Sequence, residues 1–103
     1  MVSYTYVERY SPAGEYIRLV ILKKLAKGPA SVEELDALAK RAVERLGIRY
    51  DWRVWPELVR REVVIENGVA KLTKYGEVFV REALGEVEEW LGKVFPQLRG
   101  AET

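Results

Sequence analysis

Apolar and polar positions alternate along this chain with helical period in four stretches and with strand period in a paired run between the third and fourth of them. Ser11 followed by Pro12 predicts a helix start: a capping hydroxyl, then a proline whose missing N–H is not needed in the first turn. Gly28-Pro29 predicts its end. Between them Ile17, Leu19, Val20, Ile21, Leu22 and Leu25 cover most of the circumference. A helix apolar nearly all round is buried on more than one side, so about Pro12 to Lys27 is the predicted central helix. Ser31-Val32-Glu33-Glu34 reads as a capping box in which Glu34 reaches back to the cap. The helix behind it, about Val32 to Leu46, places Leu35, Leu38, Ala39, Ala42, Val43 and Leu46 on one stripe. Its acidic residues (Glu33, Glu34, Asp36) precede its basic ones (Lys40, Arg41, Arg45), as the helix dipole favours, and Gly47 closes it.

A shorter third helix is predicted from about Asp51 to Glu62, with Asp51 as the candidate cap; because Pro56 cannot donate to its ladder, the alternative is a later start with Pro56 in the first turn. Val63-Val64-Ile65-Glu66, Asn67-Gly68 and Val69-Ala70-Lys71-Leu72-Thr73 then predict a β-hairpin, because both turn residues tolerate positive φ. A two-residue loop sets Val63 opposite Leu72 and Ile65 opposite Ala70, an apolar face, with Val64, Glu66, Val69 and Lys71 on the other. Thr73 caps a predicted fourth helix from Lys74 to Phe95, ended by Pro96. Within it Val80, Leu84, Val87, Leu91 and Val94 are spaced four, three, four, three, a heptad seam about two heptads long. The seam serves either to pair two copies, the reading preferred, or to fold back on the first helix. Gly85 and Gly92 share a face and would let another backbone approach. Phe79 lies off the seam. Residues 2–7, Val-Ser-Tyr-Thr-Tyr-Val, read as an edge strand or an extended arm, and 96–103 as a mobile tail.

Composition narrows the chemistry. The 103 residues, 49% hydrophobic and 32% charged, suit one globular domain. With no cysteine and no histidine, the chain has no disulfide, thiolate nucleophile or imidazole base, and nearly every zinc site is excluded. No phosphate-binding glycine loop, nucleophile elbow or metal-ligand spacing occurs. Glu86, Glu88 and Glu89 read as a solvated face. An enzyme is therefore not expected, nor a cofactor or metal. The longest aliphatic run, Leu19 to Leu22, is too short for a bilayer, and Met1 to Tyr10 has no signal-peptide pattern, so a cytoplasmic protein is expected. Asn67 and Gln97 are the sole side-chain amides beside abundant charge, a thermophilic composition. Net charge is +1, so any attraction to nucleic acid has to come from where charges lie.

Leu58-Val59-Arg60-Arg61-Glu62-Val63-Val64-Ile65-Glu66-Asn67-Gly68-Val69-Ala70-Lys71-Leu72-Thr73-Lys74-Tyr75-Gly76 resembles the end of a recognition helix, the wing and the leucine-threonine-two residues-glycine lead into the last helix of small MarR-like and PadR-like regulators. The wider likeness, over Pro12 to Phe95, is to a winged helix-turn-helix. It implies a mainly α chain with a small β-hairpin: a three-helix core, a two- to three-stranded wing sheet and a long C-terminal helix. The winged-helix core would span 12–76, and a dimerisation helix 77–95.

The resemblance implies a DNA-binding transcription regulator, with the third helix in the major groove and the wing on the backbone. At about 100° per residue, Val54, Trp55, Leu58 and Val59 fall inward, and Arg53, Glu57, Arg60 and Arg61 fall outward with Pro56. Arg53, Arg60 and Arg61 are the expected DNA contacts from that helix, suited to phosphate or guanine. Arg49, Lys71 and Lys74 are the expected backbone clamp. A homodimer through Val80, Leu84, Val87, Leu91 and Val94 would space two reading helices for a palindromic site. Glu66 at the wing tip and Glu57 among the arginines depart from a uniformly basic surface. The alternative is a protein-interaction module of a larger transcription-related assembly, using Trp52 and the terminal helix.

Overall fold

The computed structural model describes residues 11–47 and 53–96. The first helix, α1, runs Pro12–Ala26. Ser11 holds an extended backbone before it, and its Oγ accepts the Gly14 N–H at 3.0 Å, so one otherwise unpaired donor of the first turn is satisfied. The chain leaves the helix through Gly28 at φ 142°, a conformation that favours glycine. Tyr16, Ile17, Leu19, Ile21, Leu22 and Leu25 are buried around it, and the remaining helices pack about it, as its all-round apolar sequence predicts.

Ala30–Ser31 forms a two-residue strand, β1, directly ahead of α2 (Val32–Arg45). Ser31 serves both elements: it pairs with Val69 in the sheet, and its Oγ accepts the Glu34 N–H at 3.1 Å. The reciprocal contact of the predicted capping box is present as well: the Ser31 backbone N–H donates to the Glu34 carboxylate. The same carboxylate pairs with Lys24 of α1 at 3.0 Å, a charged donor and the larger influence in holding it below its ordinary range. Leu35, Ala39, Ala42 and Val43 are buried on the inner stripe of α2.

The third helix, α3, is only Trp55–Leu58, not the twelve-residue element the pattern predicts from Asp51 to Glu62. Pro56 stands in its first turn, and Val54, at the cap position, has no side-chain oxygen to accept from that turn; the Glu57 N–H donates to the Val54 carbonyl at 3.2 Å. At the other end Val59 leaves helical geometry (φ −123°, ψ 22°), and its carbonyl accepts from both Glu62 and Val63 in a turn. The strands β2 (Val63–Glu66) and β3 (Val69–Leu72) then pair as predicted, Val63 with Leu72 and Ile65 with Ala70, around Asn67 and Gly68 at φ 53° and 77°. With β1 they make a three-stranded antiparallel sheet in the order β1-β3-β2. Val63 and Ala70 are buried, while Ile65 lies beyond the core near the hairpin tip and is exposed.

The fourth predicted helix is two: α4 (Lys74–Glu82) and α5 (Leu84–Val94). Ala83 interrupts them at φ −127°, ψ −22°; it still donates to Phe79, and its carbonyl starts the next helix by accepting from Glu86 and Val87. Gly85, a poor helix former, lies two residues past Ala83 in the first turn of α5 and lowers the cost of interruption. The bend lays α5 back against α1, where Lys23 and Glu88 also pair at 2.7 Å. This corrects the free heptad seam. Leu84 and Leu91 are buried in the core of their own chain, Val80 and Val87 are half-buried against it, and of the five seam residues Val94 alone is exposed. Residues 2–7 and the tail beyond Pro96 lie outside the described residues. No described helix is long and apolar enough to cross a membrane.

Candidate nucleic-acid interface

The predicted inward residues of the third segment are inward: Trp55, Leu58 and Val59 are buried and Val54 half-buried. The outward arginines are exposed, but they do not share one helix face, because α3 is too short to carry them. Arg53 precedes α3, and Arg60 and Arg61 follow it in the turn to β2. Arg49, with Tyr50 and Trp52, lies outside the described residues.

Arg53 is engaged. Its Nε donates to Asp36 Oδ1 at 2.8 Å and its second terminal nitrogen to Asp36 Oδ2 at 2.6 Å, a two-point fork on a carboxylate of α2. The indole N–H of Trp55 donates to the same Oδ1 at 2.6 Å. Partial burial works against ionisation of Asp36; the hydrogen bonds from Arg53 and Trp55 and the Arg53 charge outweigh it and hold the carboxyl below its ordinary range. Arg60 and Glu57 approach to 3.7 Å, both well exposed, a loose pair of small energetic weight.

A second cluster gathers at the base of the hairpin. The Thr73 N–H donates to the Glu62 carbonyl and its hydroxyl to the Arg61 carbonyl, both at 2.8 Å, closing the chain where β2 begins and β3 ends. Thr73 Oγ1 then accepts the Gly76 N–H at 3.0 Å as the cap of α4. Arg61, Lys71 and Lys74 therefore stand within two residues of this junction, Lys71 opposite Val64 across the strands. All three are exposed, and among the described residues none of them pairs with a carboxylate. Elsewhere Lys23 pairs with Glu88, Lys24 with Glu34, Lys40 with Glu44 and Arg81 with Glu82, while Lys27, Arg41, Arg45 and Lys93, spread over other parts of the surface, pair with no carboxylate among the described residues.

Beneath the surface, Arg18 of α1 anchors the far end of α3. Its Nε donates to the Leu58 carbonyl at 3.0 Å, and its terminal nitrogens to Glu15 at 2.7 Å and Glu62 at 2.8 Å. Its guanidinium carbon lies 4.9 Å from the centre of the Phe79 ring. Residue type and spacing do not single out Arg18, Glu62 or Asp36 as site residues. A signal existed for the first: an arginine between Ile17 and Leu19, on a helix apolar on every side, has to find buried partners. Asp36 gave none, being one acid among several near a helix start. Among the described residues no three acidic side chains gather to hold a metal ion.

Compared with protein-family models, curated proteins and solved structures, the chain has no match.

Proposed function

We propose that this protein is a winged-helix DNA-binding regulator, in which α3 and the Arg60-Arg61 turn face the major groove and the base of the hairpin holds the sugar-phosphate backbone. The observation that carries this reading is that strand pairing and the Thr73 bonds bring the backbone positions of three exposed cations, Arg61, Lys71 and Lys74, to one junction, with no carboxylate paired to any of them among the described residues. Ammonium and guanidinium groups carried at set backbone positions of a ribbon suit phosphates at regular spacing. Arg60 stands beside them, and its weak link to Glu57 costs little to exchange for a phosphate. The order of elements supports the same reading: two helices, a third short one behind a turn, then a ribbon tied by β1 to the start of α2.

Titration against a duplex of random sequence over a range of salt concentrations tests it. Each phosphate neutralised contributes about 0.9 to the slope of log affinity against log salt. Alanine at Arg61, Lys71 and Lys74 together is expected to flatten that slope by about 2–3. No detectable binding at low salt refutes the reading.

A protein-interaction module is the second reading, favoured by the near-neutral net charge and by Trp90 on α5, 45% exposed. It requires duplex binding to be absent and the cation variants to be silent.

A further inference from the structure

A four-residue helix cannot fix its own direction. Nucleating a single turn is unfavourable, and α3 has no side-chain cap, so its placement is imposed from outside. Two clamps do this. Arg18 holds the exit, gripping the Leu58 carbonyl and Glu62 from α1. Asp36 holds the approach, with one carboxylate oxygen shared by Arg53 and the Trp55 indole and the other taken by Arg53. Trp55 is fully buried, so its ring is fixed on the core side, while Arg53 remains 52% exposed at the surface. Asp36 is thus the joint between a buried anchor and a surface guanidinium.

We propose that Asp36 is a positioning residue for DNA sequence discrimination, orienting Arg53 and the start of α3 without touching nucleic acid itself. This rests on the DNA-binding reading above. A guanidinium held flat against a carboxylate loses little conformational entropy when its outer edge meets a base, whereas a free arginine has to be ordered at that moment. Phosphate attraction does not need such orientation; base recognition does. Asp36 therefore acts on the preference among sequences and hardly at all on general affinity.

The test uses the full chain and the duplex it enriches from a randomised library, with a scrambled duplex of equal length as comparison. Asp36→Asn keeps the side-chain shape and removes the charge; Arg53→Lys keeps the charge and removes the fork. Each is expected to reduce the ratio of affinities for the enriched and scrambled duplexes about tenfold. The double variant should be no worse than either, and the affinity for the scrambled duplex should stay within about twofold. In parallel, the indole N–H resonance of Trp55 should move in Asp36→Asn, since its acceptor has changed. A resonance that stays in place shows that no such joint exists and overturns the proposal. A resonance that moves while the ratio holds overturns it also, because the joint is then broken without consequence. Failure of the parent protein to bind any duplex is a different result: the DNA reading falls and takes this proposal with it, while a displaced Trp55 resonance still reports the joint as a feature of the fold.

Discussion

The backbone of Gly76, in the first turn of α4, lies against the carbonyl of Glu62 at the end of the α3–β2 turn. A Cβ built on Gly76 would overlap the Glu62 carbonyl oxygen and sit 3.0 Å from its carbon and 3.1 Å from its Cα. The same oxygen accepts the Thr73 N–H. The run Leu72-Thr73-Lys74-Tyr75-Gly76 is thus one device: threonine ties the strand end to the turn and caps the helix, and glycine lets the helix seat on the turn.

Gly76→Ala is expected to destabilise the chain by about 3 kcal/mol, at the upper end of overpacking costs because both partners are backbone and neither can rotate away. Gly85 is the control. Nothing lies within 4 Å of a Cβ placed there, so Gly85→Ala should stabilise α5 by up to about 1 kcal/mol. Urea unfolding of the two variants should shift in opposite directions; equal shifts would show that the close approach at Gly76 is not real.

Arg18 and Glu62 form a buried pair at 2.8 Å, with side chains 8% and 1% exposed. Replacing Arg18 by Ala strands a carboxylate in the core and should cost about 3–5 kcal/mol. Replacing both, Arg18→Met with Glu62→Leu, removes the stranded charge, and most of that loss should return. Additive losses in chemical denaturation would mean that the two side chains act independently.

The hairpin was fully legible because its signals are local: Asn67-Gly68 dictates the turn, and alternation dictates the register. So was α1, from its cap and its apolar circumference. The terminal helix is legible as an apolar stripe and not in what that stripe packs against. Spacing of four and three at Val80, Leu84, Val87, Leu91 and Val94 describes a stripe and not its partner, and a single distorted residue, Ala83, decides that the partner is α1. For α3, Pro56 marks the later start that the sequence allows, whereas the early exit at Val59 rests on turn bonds from Glu62 and Val63 that no helical spacing encodes. The candidate site was legible by residue type and not by pairing. The fork between Arg53 and Asp36, seventeen positions apart in sequence, leaves no local signal, whereas the register that brings the Arg61, Lys71 and Lys74 backbone positions to one junction is one that the pattern does predict.

Asp36 gives the fold a specific acid response. Its carboxyl is held below the ordinary aspartate value of about 3.9, so its contribution is complete above that value and is lost as pH falls through the lowered one. Arg53 is half-exposed and solvent weakens the pair, so a local probe suits better than total stability. The Trp55 indole N–H resonance is expected to titrate below about pH 4, and Asp36→Asn should remove that titration and leave the remaining acid transition in place. An identical titration in the variant would assign it to another carboxylate.

The terminal helix offers the sharpest separation between packing within the chain and pairing between chains. Leu91 is 1% exposed and Leu84 7%, so a glutamate at either puts a charge in the core, and each variant should lose about 3 kcal/mol or more and with it cooperative unfolding. Trp90 and Val94, one turn apart on the same helix, are 45% and 38% exposed. Any homodimer built on α5 has these side chains to use, and Trp90→Glu with Val94→Glu should then halve the solution mass while circular dichroism and the unfolding midpoint at low concentration stay as in the parent. A parent protein that sediments as a single chain rules out pairing through α5. In that case recognition of DNA would rest on one copy of α3 and one hairpin, and the enriched duplex should lack two-fold symmetry.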